Sequence, residues 1–129
     1  MIQVFRNTPV DVLAGGELTF TGTKFRKGST AVLNNGGIDL NCDGVYMITA
    51  NFSFTATAAG DVTVTMQVDG MLSAADVAVA TAAAGDTVNV TVVSLIPVRK
   101  CGCSPADIGY IVSVAGTLVD ADAVVTKLC

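Results

Sequence analysis

A chain of 129 residues reads as a single domain over residues 1–129, because a domain of this size buries roughly two-thirds of the surface its unfolded chain exposes and needs no metal or disulfide to hold a core. Apolar residues make up 51% and charged residues 14%, against about 25% charged in ordinary soluble domains, so too few charges remain to cover an isolated surface. A net charge of −4 with seven basic residues, five Phe, two Tyr, no Trp and no His argues against nucleic-acid binding, imidazole-based triads and histidine-ligated metals.

In chain order, Met1-Ile2-Gln3-Val4-Phe5-Arg6 has no basic stretch followed by an apolar one, so no secretory signal is expected, and Ile2 to Phe5 reads as the first strand. Leu18 to Phe20 follows. The cluster Lys24-Phe25-Arg26-Lys27-Gly28 reads as a solvated strand edge, where charge discourages edge-to-edge pairing; Arg99 and Lys100 form a second basic pair. Thr30 to Leu33 and Ile38 to Leu40 are short strands. In Val45 to Thr57 the side chains of Tyr46, Ile48, Ala50, Phe52 and Phe54 alternate with those of Met47, Thr49, Asn51, Ser53 and Thr55, the period of two that marks a half-buried strand. The charge-free stretch from Gly44 to Gly60 is studded with Thr, Asn and Ser and lacks the roughly 20 apolar residues of a membrane-spanning helix.

Val62 to Val68 is the next strand. Met71 to Ala84 is alanine-rich enough for a helix, yet Val77, Val79 and Thr81 alternate with alanines and Asp69-Gly70 precedes them as a hairpin turn, so Met71 to Ala80 reads as a strand. Thr87 to Val98 carries Val92-Val93 and Leu95-Ile96, apolar on both faces. In a two-layer sandwich such a strand needs a third layer, which another subunit can supply. Gly109 to Val114 and Ala123 to Leu128 close the set. Ala14-Gly15-Gly16, Asn34-Asn35-Gly36-Gly37, Asp43-Gly44, Gly60-Asp61, Asp69-Gly70 and Gly85-Asp86 supply the turns. About ten antiparallel strands so punctuated make an all-β sandwich or barrel.

The order of three short motifs is recognisable: Gly44-Val45-Tyr46 opening an alternating strand, Val62 to Val68 ending in Asp69-Gly70, and Gly85-Asp86-Thr87-Val88-Asn89-Val90. The stretch from Ile38 to Val93 resembles the tumour necrosis factor and complement globular-head superfamily, with closing strands in Gly109 to Leu128. The resemblance implies a ten-stranded jelly-roll β-sandwich that packs as a homotrimer about a three-fold axis. Val45, Met47, Val92, Val93, Ile111 and Val125 are then the residues expected at the subunit interface. No collagen-like stem, secretory signal or membrane anchor is expected from this sequence, unlike in animal cytokines and complement proteins. It is similar instead to the leaderless jelly rolls of bacteriophage virions, which serve as head fibres, capsid decorations and tail or baseplate appendages assembled in the host cytoplasm.

Little in the sequence invites chemistry. Asp43, Asp61, Asp69 and Asp86 each neighbour a glycine and read as turn residues. Asp120-Ala121-Asp122 lacks the remaining ligands of a calcium loop. Of the four cysteines, Cys42, Cys101, Cys103 and Cys129, the central pair is one residue too close for a zinc knuckle and for a redox Cys-x-x-Cys motif. Two disulfides in three connectivities remain open beside free thiols, which a reducing compartment favours. No phosphate-cradling glycine loop is present. The expectation is a non-enzymatic structural protein without cofactor, metal, nucleic acid or membrane, its partners being itself, other virion proteins or a host-surface ligand. The alternatives are a receptor- or carbohydrate-binding module and an enzyme of unknown type.

Overall fold

The structure, a computed structural model, describes residues 1–28, 31–41, 43–98 and 106–128, with the backbone alone at 74 and 75. Two antiparallel sheets face each other. The front sheet runs β10 (Thr87–Val98), β7 (Gly44–Ala56), β12 (Gly116–Lys127), β1 (Ile2–Arg6), β4 (Gly22–Arg26), and β2 (Val10–Val12) also pairs with β12. The back sheet runs β5 (Ala31–Asn34), β6 (Gly37–Leu40), β11 (Ala106–Val112), β8 (Gly60–Val68), β9 (Met71–Ala82), and β3 (Glu17–Leu18) also pairs with β11. The chain is an all-β jelly-roll sandwich, with no helix among the described residues.

Strand β7 is bonded along its length to β10 on one side and β12 on the other. Its alternation therefore decides which face of three strands turns inward. Tyr46, Ile48, Ala50, Phe52 and Phe54 are all buried, as expected from their period, together with Val92 and Ile96 of β10 and Ala123 and Val125 of β12. From the back sheet Ile38, Leu40, Val62, Val64, Met66, Ile108 and Tyr110 meet them. Phe20, Phe52 and Tyr110 form a triangle with ring centroids 5.1–6.4 Å apart, tilted and edge-on arrangements that suit aromatic quadrupoles.

The alanine-rich segment is strand β9, and Ala78, Ala80 and Ala82 pack against the core. Two connections take positive φ at both central residues, Asn35-Gly36 (51° and 82°) and Asp69-Gly70 (53° and 82°), the geometry of a type I′ hairpin, which matches the twist of the flanking strands.

The strands differ from the sequence reading in several places, β11 running over Ala106–Val112 rather than Gly109–Val114 and β9 reaching Ala82 rather than Ala80. Strand β12 starts at Gly116 rather than Ala123, because a bulge between Leu118 and Asp120 breaks the two-residue period that would have revealed its first half. Strand β2 is additional, and β4, read from the sequence only as the charged edge Lys24–Gly28, runs over Gly22–Arg26. Val-Asp-Val is too short to carry a period, and β4 is exposed along almost its whole length, so it has no apolar face to read. Thr30, the expected start of the strand containing β5, lies outside the described residues.

The interior holds few polar groups. The hydroxyls of Ser94 and Tyr110 are buried without a hydrogen-bond partner among the described residues. Burial pushes the Tyr110 phenol well above its ordinary pKa, and the Asp76 carboxylate adds to the shift. Asp39 is buried on β6, accepts a hydrogen bond from Asn34 Nδ2 (2.8 Å) and lies directly across from Asp107 on β11. Desolvation raises the Asp107 pKa above 3.8, and the Asp39 and Asp69 carboxylates and a hydrogen bond to Asp39 act in the same direction.

These features give four expected outcomes. A Cβ at Gly116 would run into the Thr55 carbonyl and the Phe54 ring, so Gly116→Ala should lower the unfolding free energy by about 3 kcal/mol through overpacking. Gly85→Ala, with a φ of 81° but open space around it, should cost about 1 kcal/mol of backbone strain, and urea midpoints distinguish the two. Tyr110→Phe removes an unpaired buried hydroxyl and should leave the midpoint unchanged or raised; a clear loss of stability would mean that the hydroxyl is bonded. For Asp107 the folded protein binds the proton more tightly than the unfolded chain. The stability this contributes is full below pH 3.8 and is lost as pH rises through the raised folded pKa. Asp107→Asn should therefore flatten that part of the stability profile, measured from about pH 3 to about pH 7, and be at least as stable as the native chain at the upper end.

Candidate interface on the front sheet

The outer face of the front sheet divides into two halves of opposite character. In the half where β7 ends, polar side chains bond to one another across the strands. The hydroxyls of Thr55 and Thr87 are 2.6 Å apart, Ser53 Oγ donates to Asn89 Oδ1 (2.6 Å), and Thr91 Oγ1 donates to Asn51 Oδ1 (2.6 Å). Farther along, Thr117 Oγ1 donates to Asp11 Oδ1 (2.9 Å). These rungs satisfy themselves within one chain.

In the half where β7 begins, the rungs become Thr49–Val93, Met47–Leu95 and Val45–Pro97. Val93 is 59% exposed and Leu95 61%. The first of these rungs continues across the sheet through Val124 and Gln3 to Phe25, whose ring is also exposed. The result is a cluster of apolar side chains, interspersed with Thr49 and Gln3, at one end of a sheet whose outer face is otherwise mostly polar apart from Phe5, a distribution that marks association surfaces.

Three of the six expected interface residues, Val45, Met47 and Val93, lie together in this patch. Val92 and Val125 do not. At 2% and 1% exposed they face the core, because each is the opposite parity to the outward residues of its strand. Ile111 lies on β11 of the back sheet, half-buried and across from Thr65 and Glu17, so it is remote from the front-sheet patch. Leu95, Val124 and Phe25 were missed, although Leu95 shares the parity of Val93 in the sequence. Val124 and Phe25 carry no such signal, since their rows depend on pairings between distant segments.

The two ends of the front sheet are protected differently. Edge strand β4 carries exposed Lys24 and Arg26, followed by exposed Lys27, and the Met1 amine donates to the Lys27 carbonyl (3.1 Å). This is the charged edge expected from the sequence, which resists pairing with another sheet. Edge strand β10 has no charged residue, and β9, the edge of the back sheet beside it, has only Asp76. Pro97, near the end of β10, removes one donor and is the only guard of that kind on the strand.

Cys42, Cys101, Cys103 and Cys129 lie outside the described residues. Asp61 accepts a hydrogen bond from Thr81 Oγ1 (2.9 Å), and Asp69 Oδ1 accepts one from the Asp107 backbone N–H (2.9 Å), so both act across strands as well as in turns. Asp120 and Asp122 stand beside Ser53 and Asn51, and among the described residues no group of three or more His, Cys, Asp or Glu is arranged to hold a metal. Arg6 is committed to structure, with Nε and Nη2 donating to the Thr19 carbonyl and hydroxyl (both 2.8 Å). No described helix is long and apolar enough to cross a membrane.

No family model matches the chain and no curated protein matches it in sequence. Solved structures match it along almost its whole length. The globular domain of zebrafish complement 1qA protein covers 99% of this chain and 96% of its own at a TM-score of 0.75 and 9% identity. Murine APRIL covers 98% of each at 0.70 and 12%. The PRD1 vertex protein P5 covers 99% and 96% at 0.69 and 16%. At such low identity the likeness is one of fold, and in fold this chain is a jelly roll of the tumour necrosis factor and complement globular-head type.

Proposed function

We propose that this chain is a non-enzymatic structural protein, a single jelly-roll domain that assembles as a homotrimer and serves as a bacteriophage virion component, in the class of capsid decorations, head fibres and tail or baseplate appendages. The observation that carries the self-association is the exposed patch around Val93 and Leu95 on a sheet whose neighbouring edge, β10, has no charge to keep another chain away. A long uncharged edge with apolar residues on its outer face is a site of uncontrolled pairing unless a specific partner covers it. Other copies of the same chain are the partner available wherever it is made. The fold likeness to a phage vertex protein, together with the acidic, alanine- and valine-rich composition, supports the virion reading. Assembly in the host cytoplasm goes with it.

Hydrophobic burial supplies the driving force, at roughly 25 cal/mol per Å² removed from water. The mass in solution, measured by light scattering with and without reductant, is expected to be that of three copies in both conditions. Val93→Asp places an unpaired charge in the patch and should yield monomers or insoluble protein. A soluble trimer from that variant would remove the front-sheet patch from the interface, and a monomeric native chain would end the trimer reading.

A further inference from the structure

The two type I′ turns, Asn35-Gly36 and Asp69-Gly70, share nearly the same backbone angles, yet the side chains around them are held differently. Asp69 Oδ1 accepts the Asp107 backbone N–H (2.9 Å), and the Asp69 N–H donates to the Asp107 carbonyl (2.8 Å). Asn34, just before the other turn, donates from Nδ2 to Asp39 Oδ2 (2.8 Å). Asn35 is exposed, and among the described residues its carboxamide has no hydrogen-bond partner. The Gly36 carbonyl accepts the Phe20 N–H (3.0 Å), but the Gly36 N–H donates to no described backbone carbonyl.

An unheld carboxamide followed by an unbonded backbone N–H on a residue without a Cβ is what intramolecular attack on an asparagine side chain requires. Asn35 is the asparagine that the sequence follows with glycine. The fold also keeps that glycine in place. Gly36 has a φ of 82°, and a Cβ there would come within 2.7 Å of the Thr19 side chain, so no bulkier residue that would hinder the attack fits. The attack needs rotation out of the turn, and β5 is the outer strand of its sheet, bonded there to β6. Such an edge hairpin opens more readily than the strands inside.

We infer that Asn35 is a site of spontaneous covalent modification, deamidation through a cyclic imide. The Gly36 nitrogen loses its proton to solvent and bonds to Cγ of Asn35. The Cγ–Nδ2 bond breaks, and Nδ2 leaves as ammonia. Water then opens the imide at one of its two carbonyls, with nothing oxidised or reduced. Opening at Cγ leaves aspartate; opening at the main-chain carbonyl leaves isoaspartate, with the chain now running through Cβ and Cγ. Either product adds one negative charge to a net charge of −4. Isoaspartate also lengthens a two-residue loop whose geometry sets the register of Ala31–Asn34 on Gly37–Leu40.

The test holds the native full chain folded in mildly alkaline buffer, measures released ammonia, and locates the products by peptide mapping with electron-based fragmentation, which separates aspartate from isoaspartate. Conversion at Asn35 should run about tenfold or more ahead of Asn34 and Asp69. Unfolding in urea frees the Asp69 carboxylate and should speed its isomerisation by a larger factor than it speeds reaction at Asn35. Asn35→Gly, which a type I′ turn accepts, should show no early gain of charge. The modified fraction, separated by ion exchange, should lose hydrogen-exchange protection in β5 and β6 ahead of the other strands. If the folded chain keeps Asn35 intact while the unfolded chain converts it, the turn shields the residue and the inference is overturned. Modification of Asn34 or Asp69 ahead of Asn35 in the folded chain overturns it as well.

Discussion

Everything in this molecule depends on the hydrogen-bonded seam of β10, β7 and β12. One strand, β7, is paired along its length on both sides, so a single parity choice propagates across three long strands. A slip of one residue would send Tyr46, Ile48, Phe52 and Phe54 to solvent and bring Met47, Asn51 and Ser53 into the core. The cost of exposing two phenylalanines and a tyrosine, each worth roughly 1.5–3 kcal/mol or more of burial, makes that slip prohibitive. The same choice places the outer residues. The polar ladder and the apolar patch are thus both consequences of the register that fills the core.

How much of this was legible follows from the range of each signal. Alternation is local, so β7, β8, β9 and β10 could be read from their own residues, and the strand nature of the alanine-rich segment followed from Val77 and Val79. What depends on pairing between distant segments could not be read. Phe25 joins the Val93 row only through Gln3 and Val124, and the first half of β12 was hidden by a bulge. Val92 and Val125 were expected outside because apolar residues on both faces of a strand give no indication of which face looks in. Parity with Val90 on β10 and with Ala123 on β12, both buried, resolves it.

The front sheet also separates two strategies for an exposed edge. At β4 the chain spends its scarce cations, Lys24, Arg26 and Lys27, on keeping other sheets away. At β10 and β9 it leaves long strands with a single carboxylate between them. With only seven basic residues in the sequence, that concentration on one edge gives the molecule sides, and a molecule with distinct sides can assemble in a defined direction.

The pairing of β1 with β12 has a consequence for how the protein comes into being. Ile2 lies across from Val125, so the front sheet is completed by residues from nearly opposite ends of the sequence. A fold of such high contact order folds slowly, and β1 has no β12 to join until Gly116–Lys127 has left the ribosome. During synthesis the buried face of β1, Ile2 and Val4, must wait in water or on a chaperone. The uncharged β10, already made by then, is exposed over the same interval. Yield in the cell is therefore expected to depend on the time between synthesis of β10 and closure by β12, and slow growth temperature, by weakening premature apolar association, to favour the native sheet over aggregates.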